Sequence, residues 1–440
     1  VKQASFDRTG MRASVRLAFA LSLSAGVVLG EDWPQWRGAR RDGIWRETEI
    51  IDRFPDEGPP RKWTSPIGPG YTGPTVADGR VFCMDRVTKP SQQEQVLCWD
   101  AETGKEIWRF AYDCVYTISY TAGPRACVTI HGNEAYAIGA MGHLHCLDAA
   151  TGAVLWARDP QTDFSLGDRM PIWGIAAAPL VHGPNVIVQI GASNACIVAF
   201  DRETGEEAWR SLDDRASYSA PILIQQGHQD VLVCWTGDSV AGLAPRTGEV
   251  YWRHPFPPSR MPIGVATPII RKDRLFVTSF YDGSLMLELD PGRPEAKPAW
   301  HRCGPSEKET DALQSIISTP IWQGDHIYGV DSYGELRCLL ASNGDRVWED
   351  QTATPRARWS NIHIVPQGDR VWMFNERGEL LIAKLSPGGF VEQSRAKILD
   401  PTTEQLRDRG GVCWAPPAFA DRSVFVRSDR EIVRVDLAKP

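Results

Sequence analysis

The sequence predicts an all-β, eight-bladed β-propeller: a ring of four-stranded antiparallel sheets in which an N-terminal strand completes the last blade. Three observations predict it. A short motif ending in tryptophan recurs at intervals of 43 to 53 residues. A small residue followed by proline opens six of eight successive units, and weaker copies open the other two. The strand left over at one end of the chain matches the strand missing at the other.

The motif is clearest in Asp100–Trp108 (DAETGKEIW), Asp148–Trp156 (DAATGAVLW), Asp201–Trp209 (DRETGEEAW) and Ala244–Trp252 (APRTGEVYW), with a looser copy in Leu340–Trp348 (LASNGDRVW). A strand ends at Asp, whose carboxylate can accept turn amides. Thr-Gly closes the hairpin, glycine taking the positive φ that the turn needs. Tryptophan follows four residues after the glycine. A large flat ring at a fixed place in every unit suits sheets that pack face to face, and it accounts for seven of the 17 tryptophans in the chain.

The eight starts are Gly73-Pro74, Gly123-Pro124, Ala178-Pro179, Ala220-Pro221, Thr267-Pro268, Thr319-Pro320 and the weaker Asn361-Ile362 and Pro416-Pro417. β-rich runs follow, such as GRVFCM at 79–84, NVIVQI at 185–190 and DRVWMF at 369–374. Four short strands in about 45 residues fill one blade. The last unit ends with EIVRVDL at 431–437, before its tryptophan strand, while RKWTSPI at 61–67 is a tryptophan strand with no unit before it. Pairing the two closes the ring and removes the open edges.

Composition narrows the remaining classes. The chain has 440 residues, 42% hydrophobic and 23% charged, with a net charge of −7. That balance describes a globular chain with ample core and argues against nucleic-acid binding, which needs a basic field. Residues 11–30, with Arg12 and Arg16 before an apolar run, read as a signal peptide, with 1–10 an upstream extension and 31–440 a single propeller domain. No later stretch is apolar enough to span a membrane. A periplasmic or extracellular monomer is expected, with no lipoprotein cysteine near the cut.

Ten cysteines in an exported chain suggest disulfides, yet no zinc, haem or adjacent-cysteine pattern occurs. Cys98, Cys146 and Cys338 share one slot of the repeat and read as small buried hydrophobes. Cys83 and Cys98, on neighbouring strands, are the pair for which a bridge is expected to be worth testing.

The Asp-x-x-Thr-Gly-x-x-x-Trp pattern resembles the tryptophan-docking repeat of pyrroloquinoline quinone (PQQ) propellers. The opening DWPQWRGARRDGIW at 32–45 is similar to the same group. That superfamily includes PQQ-dependent alcohol dehydrogenases and BamB-like outer-membrane assembly proteins. Resemblance to the dehydrogenases implies PQQ, Ca²⁺ and a catalytic Asp over the channel. The sequence has no Cys-Cys, no haem motif and no Asp-Glu-Asn set that maps onto theirs. Resemblance to the BamB-like proteins implies a non-catalytic scaffold that holds protein partners on its faces. The scaffold is the expected function, a PQQ dehydrogenase or cofactor-binding relative the alternative.

Channel-facing segments supply the candidate site: Tyr71, Tyr120, Arg125, Trp173, Tyr218, Trp359, Asn361 and Trp414. Aromatic faces with one Arg and one Asn suit a planar anionic ligand; otherwise the rings fill the taper of the channel. His143 and His145, two apart on a strand, have metal-ligand spacing but no third ligand. Glu307-Lys308-Glu309 reads as a solvated loop, and Glu376, beside Asn375, as a turn residue.

Overall fold

The computed structural model describes residues 1–2, 30–120, 123–402, 406 and 409–440. The expected signal peptide lies outside the described residues apart from Gly30. Thirty-two strands form eight four-stranded antiparallel sheets. The two helical segments among the described residues, Pro160–Asp163 and Gly167–Arg169, are each a single turn. Blade 1 runs from Thr75–Ala77 through Arg80–Val87 and Gln93–Asp100 to Glu106–Asp113. Blades 2 to 7 repeat this meander in chain order. Blade 8 is Ala418–Ala420, Ser423–Arg427 and Glu431–Asp436, completed by the N-terminal strand Arg61–Pro66. Trp63 there stands opposite Arg434, as the repeat requires.

The repeated turn is built as the residues dictate. Asp100 accepts the amide of Thr103 at 2.8 Å and its hydroxyl at 2.7 Å. Asp148 does the same with Thr151, and Asp201 with Thr204. These bonds hold all three carboxyls below their usual range, the Thr hydroxyl leading for Asp100 and Asp148 and the Thr204 amide for Asp201.

The glycine has a second reason to be glycine. The indole of one blade lies on the turn of the next, and a Cβ on Gly205 would stand 2.6 Å from Trp156. Gly104 faces Trp63, Gly152 faces Trp108, and Gly248 faces Trp209 in the same way. The indole N–H then reaches a carbonyl of that turn. Trp63 donates to Ala101 at 2.8 Å, Trp108 to Ala149 at 3.1 Å, Trp156 to Arg202 at 2.8 Å, Trp300 to Ala341 at 3.1 Å and Trp348 to Ser386 at 2.8 Å. One ring thus fills the gap between sheets and satisfies a polar atom that burial would otherwise strand.

Three expectations are corrected. Register places Thr129 opposite Tyr136, Tyr136 opposite Cys146 and Cys146 opposite Trp156. Blade 2 therefore starts at Cys127-Val128, and Gly123-Pro124 belongs to the preceding loop. In blade 7 Val365 pairs with Trp372, Trp372 with Ile382 and Ile382 with Ser394. His363-Ile364 holds the opening slot there, two residues after Asn361-Ile362, and Ser394 stands where other blades carry tryptophan. Finally, Cys83 pairs with Leu97 while Cys98 pairs with Phe82. Directly opposed residues share a face and neighbours alternate, so the two thiols point to opposite sides of the sheet, into different apolar clusters. All ten cysteines are free.

Residues 30–54 do two jobs outside the blades. Trp45, Ile50 and Phe54 pack against Trp372, Phe374 and Phe419 at the junction of blades 7 and 8. The stretch around Trp33–Arg41 crosses the channel. Trp33 exchanges backbone hydrogen bonds with Val76, Trp36 donates its indole N–H to Thr267 Oγ1 at 2.7 Å, and Arg41 reaches the carbonyls of Pro179 and Ala178. One end of the channel is closed by the chain itself.

Candidate functional site

Loops entering the inner strands converge above that plug on a cavity of about 150 Å³. Its floor includes Trp36, and its lower wall is made of the slot that opens blades 2, 3, 4, 7 and 8: Cys127, Ala178, Ala220, His363 and Pro416. Small residues at that slot leave room on the axis. Seven of the eight expected collar residues line the cavity: Tyr71, Tyr120, Arg125, Trp173, Tyr218, Trp359 and Trp414. Asn361 does not. Its side chain is buried behind the wall, where its amide oxygen and nitrogen have no hydrogen-bond partner among the described residues.

The rings meet edge to face around the mouth. Tyr120 lies at 5.9 Å from Trp173, 5.1 Å from Trp359 and 6.1 Å from Trp414, and Trp173 lies 5.2 Å from Tyr218. Tyr71 stacks on Trp414 at 6.1 Å. Tyr120 and Trp359 both hold a left-handed backbone, at φ 63° and 67°. For an aromatic residue this costs on the order of 1–3 kcal/mol, a strain that collects at ligand clamps.

Among the described residues Arg125 is the only lining residue with a fixed charge. It donates to the carbonyls of Gly123 and Ser119, and its guanidinium lies 4.9 Å from the Tyr71 ring centre. It makes no ion pair among the described residues. Burial holds it below the usual arginine range, countered by the neighbouring tyrosines. The indole N–H groups of Trp359 and Trp414 are buried with no partner among the described residues. His363 has its Nε2 3.0 Å from the carbonyl of Trp414, and burial pushes its imidazole down to about 4, so it is neutral near pH 7.

Glu376 is fully buried and paired with Arg409, with Ser360 Oγ donating to it at 3.0 Å; it takes no part in the cavity lining. The turn is made by Asn375, whose Oδ1 accepts the amides of Arg377 and Glu379. In Glu307-Lys308-Glu309 the last two side chains are exposed. Glu307 instead clamps Arg358 with two bonds of 2.7 and 2.8 Å and accepts the Tyr333 hydroxyl at 2.9 Å. That pair braces the loop carrying Trp359. His145 packs between Phe110 and Tyr112, and burial, with His143 adding, pushes it down to about 4. Among the described residues no three His, Cys, Asp or Glu side chains gather in a way that would hold a metal. The floor residue Trp36 escaped notice because one ring in a non-repeating segment has no period to mark it. His363 escaped because its slot is small in other blades.

Comparison with known proteins gives the same architecture. A family model described as outer membrane protein assembly factor BamB matches residues 115–350 and 307–439. An outer membrane protein assembly factor BamB of Burkholderia pseudomallei (strain K96243) is 24% identical over 244 residues, 54% of this chain and 58% of that protein. Quinohemoprotein alcohol dehydrogenase ADH IIB of Pseudomonas putida is 28% identical over 158 residues, 33% of this chain and 21% of that protein. The chain thus aligns with little more than half of the first of these relatives and a fifth of the second. The crystal structure of BamB from Moraxella catarrhalis superposes with a TM-score of 0.56 at 16% identity, covering 84% of this chain and 98% of that one. Quinohemoprotein alcohol dehydrogenase from Comamonas testosteroni superposes at 0.63 and 14% identity, covering 93% and 81%. With the family model matched across most of a propeller whose blades carry the docking tryptophan, this chain belongs to the family described as outer membrane protein assembly factor BamB.

Proposed function

We propose that the chain acts outside the cytoplasm as a non-catalytic binding or assembly scaffold, holding protein partners on the faces of the propeller. The observation that carries this reading is the cavity lining, which among the described residues brings together aromatic rings, one arginine and a neutral histidine but no carboxylate. A general base works best with a pKa near the operating pH, and His363 at about 4 is far from it. Family membership and the BamB structural neighbour support the same reading.

PQQ and Ca²⁺ are what kinship with the quinohemoprotein dehydrogenases would bring, and the residues do not fit them. PQQ is a fused-ring tricarboxylate, and among the described residues the lining supplies one cation. Ca²⁺ takes six to eight oxygen ligands rich in carboxylate, and the described lining residues include no carboxylate. The test is calorimetric titration of the chain with PQQ and Ca²⁺, followed by a dye-linked assay on alcohols and sugars. No cofactor binding and no turnover are expected; tight binding with turnover would overturn the scaffold reading.

A further inference from the structure

The geometry points to a small-molecule site in the channel: we infer that the cavity takes a planar, single-ring aromatic monocarboxylate. Three features of the cavity define that ligand, and each constrains a different property of it.

Size comes first. The cavity is about 150 Å³, and a dry cavity of about that volume admits one benzene ring. Trp36 lines its floor, and Tyr120 packs on Trp359 and Trp414 beside it, so the enclosed part holds a single ring. Shape comes second. Trp173, Tyr218, Trp359, Trp414 and Tyr71 offer ring faces and edges in several orientations, the lining that holds a flat ring by offset and edge contacts.

Charge comes third. Arg125 has no ion-pair partner among the described residues and spends two of its N–H groups on carbonyls, leaving three of its five. A guanidinium with N–H groups to spare calls for an acceptor, and a carboxylate is the acceptor that also neutralises the charge. An aromatic cage for an ammonium ligand would need the opposite sign, since Arg125 would repel it. The strained backbone at Tyr120 and Trp359 fits the same assignment, because it aims two rings at this one space.

The site is independent of the scaffold reading, since binding without turnover leaves that reading untouched. Isothermal titration of the chain with benzoate, benzyl alcohol and cyclohexanecarboxylate tests it, with tryptophan fluorescence as a second signal. Benzoate should bind in preference to both analogues. Arg125→Gln should weaken benzoate by about tenfold or more and leave the weaker benzyl alcohol binding unchanged, since only the charge-assisted bond is lost. Retained benzyl alcohol binding shows that the pocket is still folded, and Arg125→Lys should restore part of the benzoate affinity. The inference is overturned by absence of benzoate binding at about 10 mM, by equal affinity for benzoate and benzyl alcohol, or by Arg125→Gln leaving benzoate affinity intact. Binding of PQQ in competition with benzoate would also overturn it, by removing the size limit.

Discussion

The seam between blades 2 and 3 and the seam between blades 7 and 8 solve one packing problem with different parts. At the first, Trp156 lies on Gly205 and donates to the Arg202 carbonyl. At the second, Ser394 stands in the tryptophan slot, and its hydroxyl only accepts the amide of Phe54. The apolar volume comes instead from Trp45 and Phe54 of the N-terminal segment, set against Trp372 at ring distances of 5.4 and 6.0 Å. A wedge-shaped gap between twisted sheets has to be filled, but the filler need not come from the repeat. Where the ring closes, a non-repeating segment does it, and that segment goes on to plug the channel and form the floor of the cavity.

Removing the unique filler should cost most. Trp45 is 1% exposed, and Trp45→Ala should destabilise the fold by about 4–5 kcal/mol in urea denaturation. A loss under about 1 kcal/mol would mean that the segment only decorates the seam. Trp156→Ala should cost about 3–5 kcal/mol, and Trp209→Ala a similar amount. The two differ in one atom pair: Trp209 Nε1 is buried without a partner among the described residues, while Trp156 Nε1 is bonded. Trp156→Phe should therefore cost about 1 kcal/mol more than Trp209→Phe, and equal losses would assign the docking to ring burial alone.

His145 sharpens the contrast between the buried polar faces of the blades and the bonded turns. Its folded pKa of about 4 lies below its unfolded value, so protonation favours the unfolded chain. Its contribution is complete above about pH 6.5 and is lost as pH falls from there to about 4. His145→Leu should flatten the fall of the urea midpoint across that window, and an unchanged slope would place the titration elsewhere. The smallest effect expected is none: a thiol reductant should leave the melting temperature unmoved, because Cys83 and Cys98 face opposite ways.

Blade number, ring closure and the role of Thr-Gly were legible because each repeats. The shared slot of Cys98, Cys146 and Cys338 was legible in the same way, but their pairing with Trp108, Trp156 and Trp348 was not, because a register shift in each hairpin inserts one residue before the tryptophan. The collar was legible in seven of its eight residues because loops before inner strands must face the axis. Counting failed where the loop length changed. Gly123-Pro124 and Asn361-Ile362 imitate the opening slot in composition but miss it in register. Glu376 could not be read either, since its partner Arg409 is 33 residues away and no period links them.

The sequence by itself determined the strand alternation, the hairpin chemistry and the number of blades, all of which follow from short-range stereochemistry repeated along the chain. Only the tertiary structure decided what fills the last seam, which rings share the axial cavity and which charges are left without a partner there. Those depend on residues hundreds of positions apart meeting in space, such as Trp36 with Thr267, and burial and pairing are properties of that meeting, not of either residue alone.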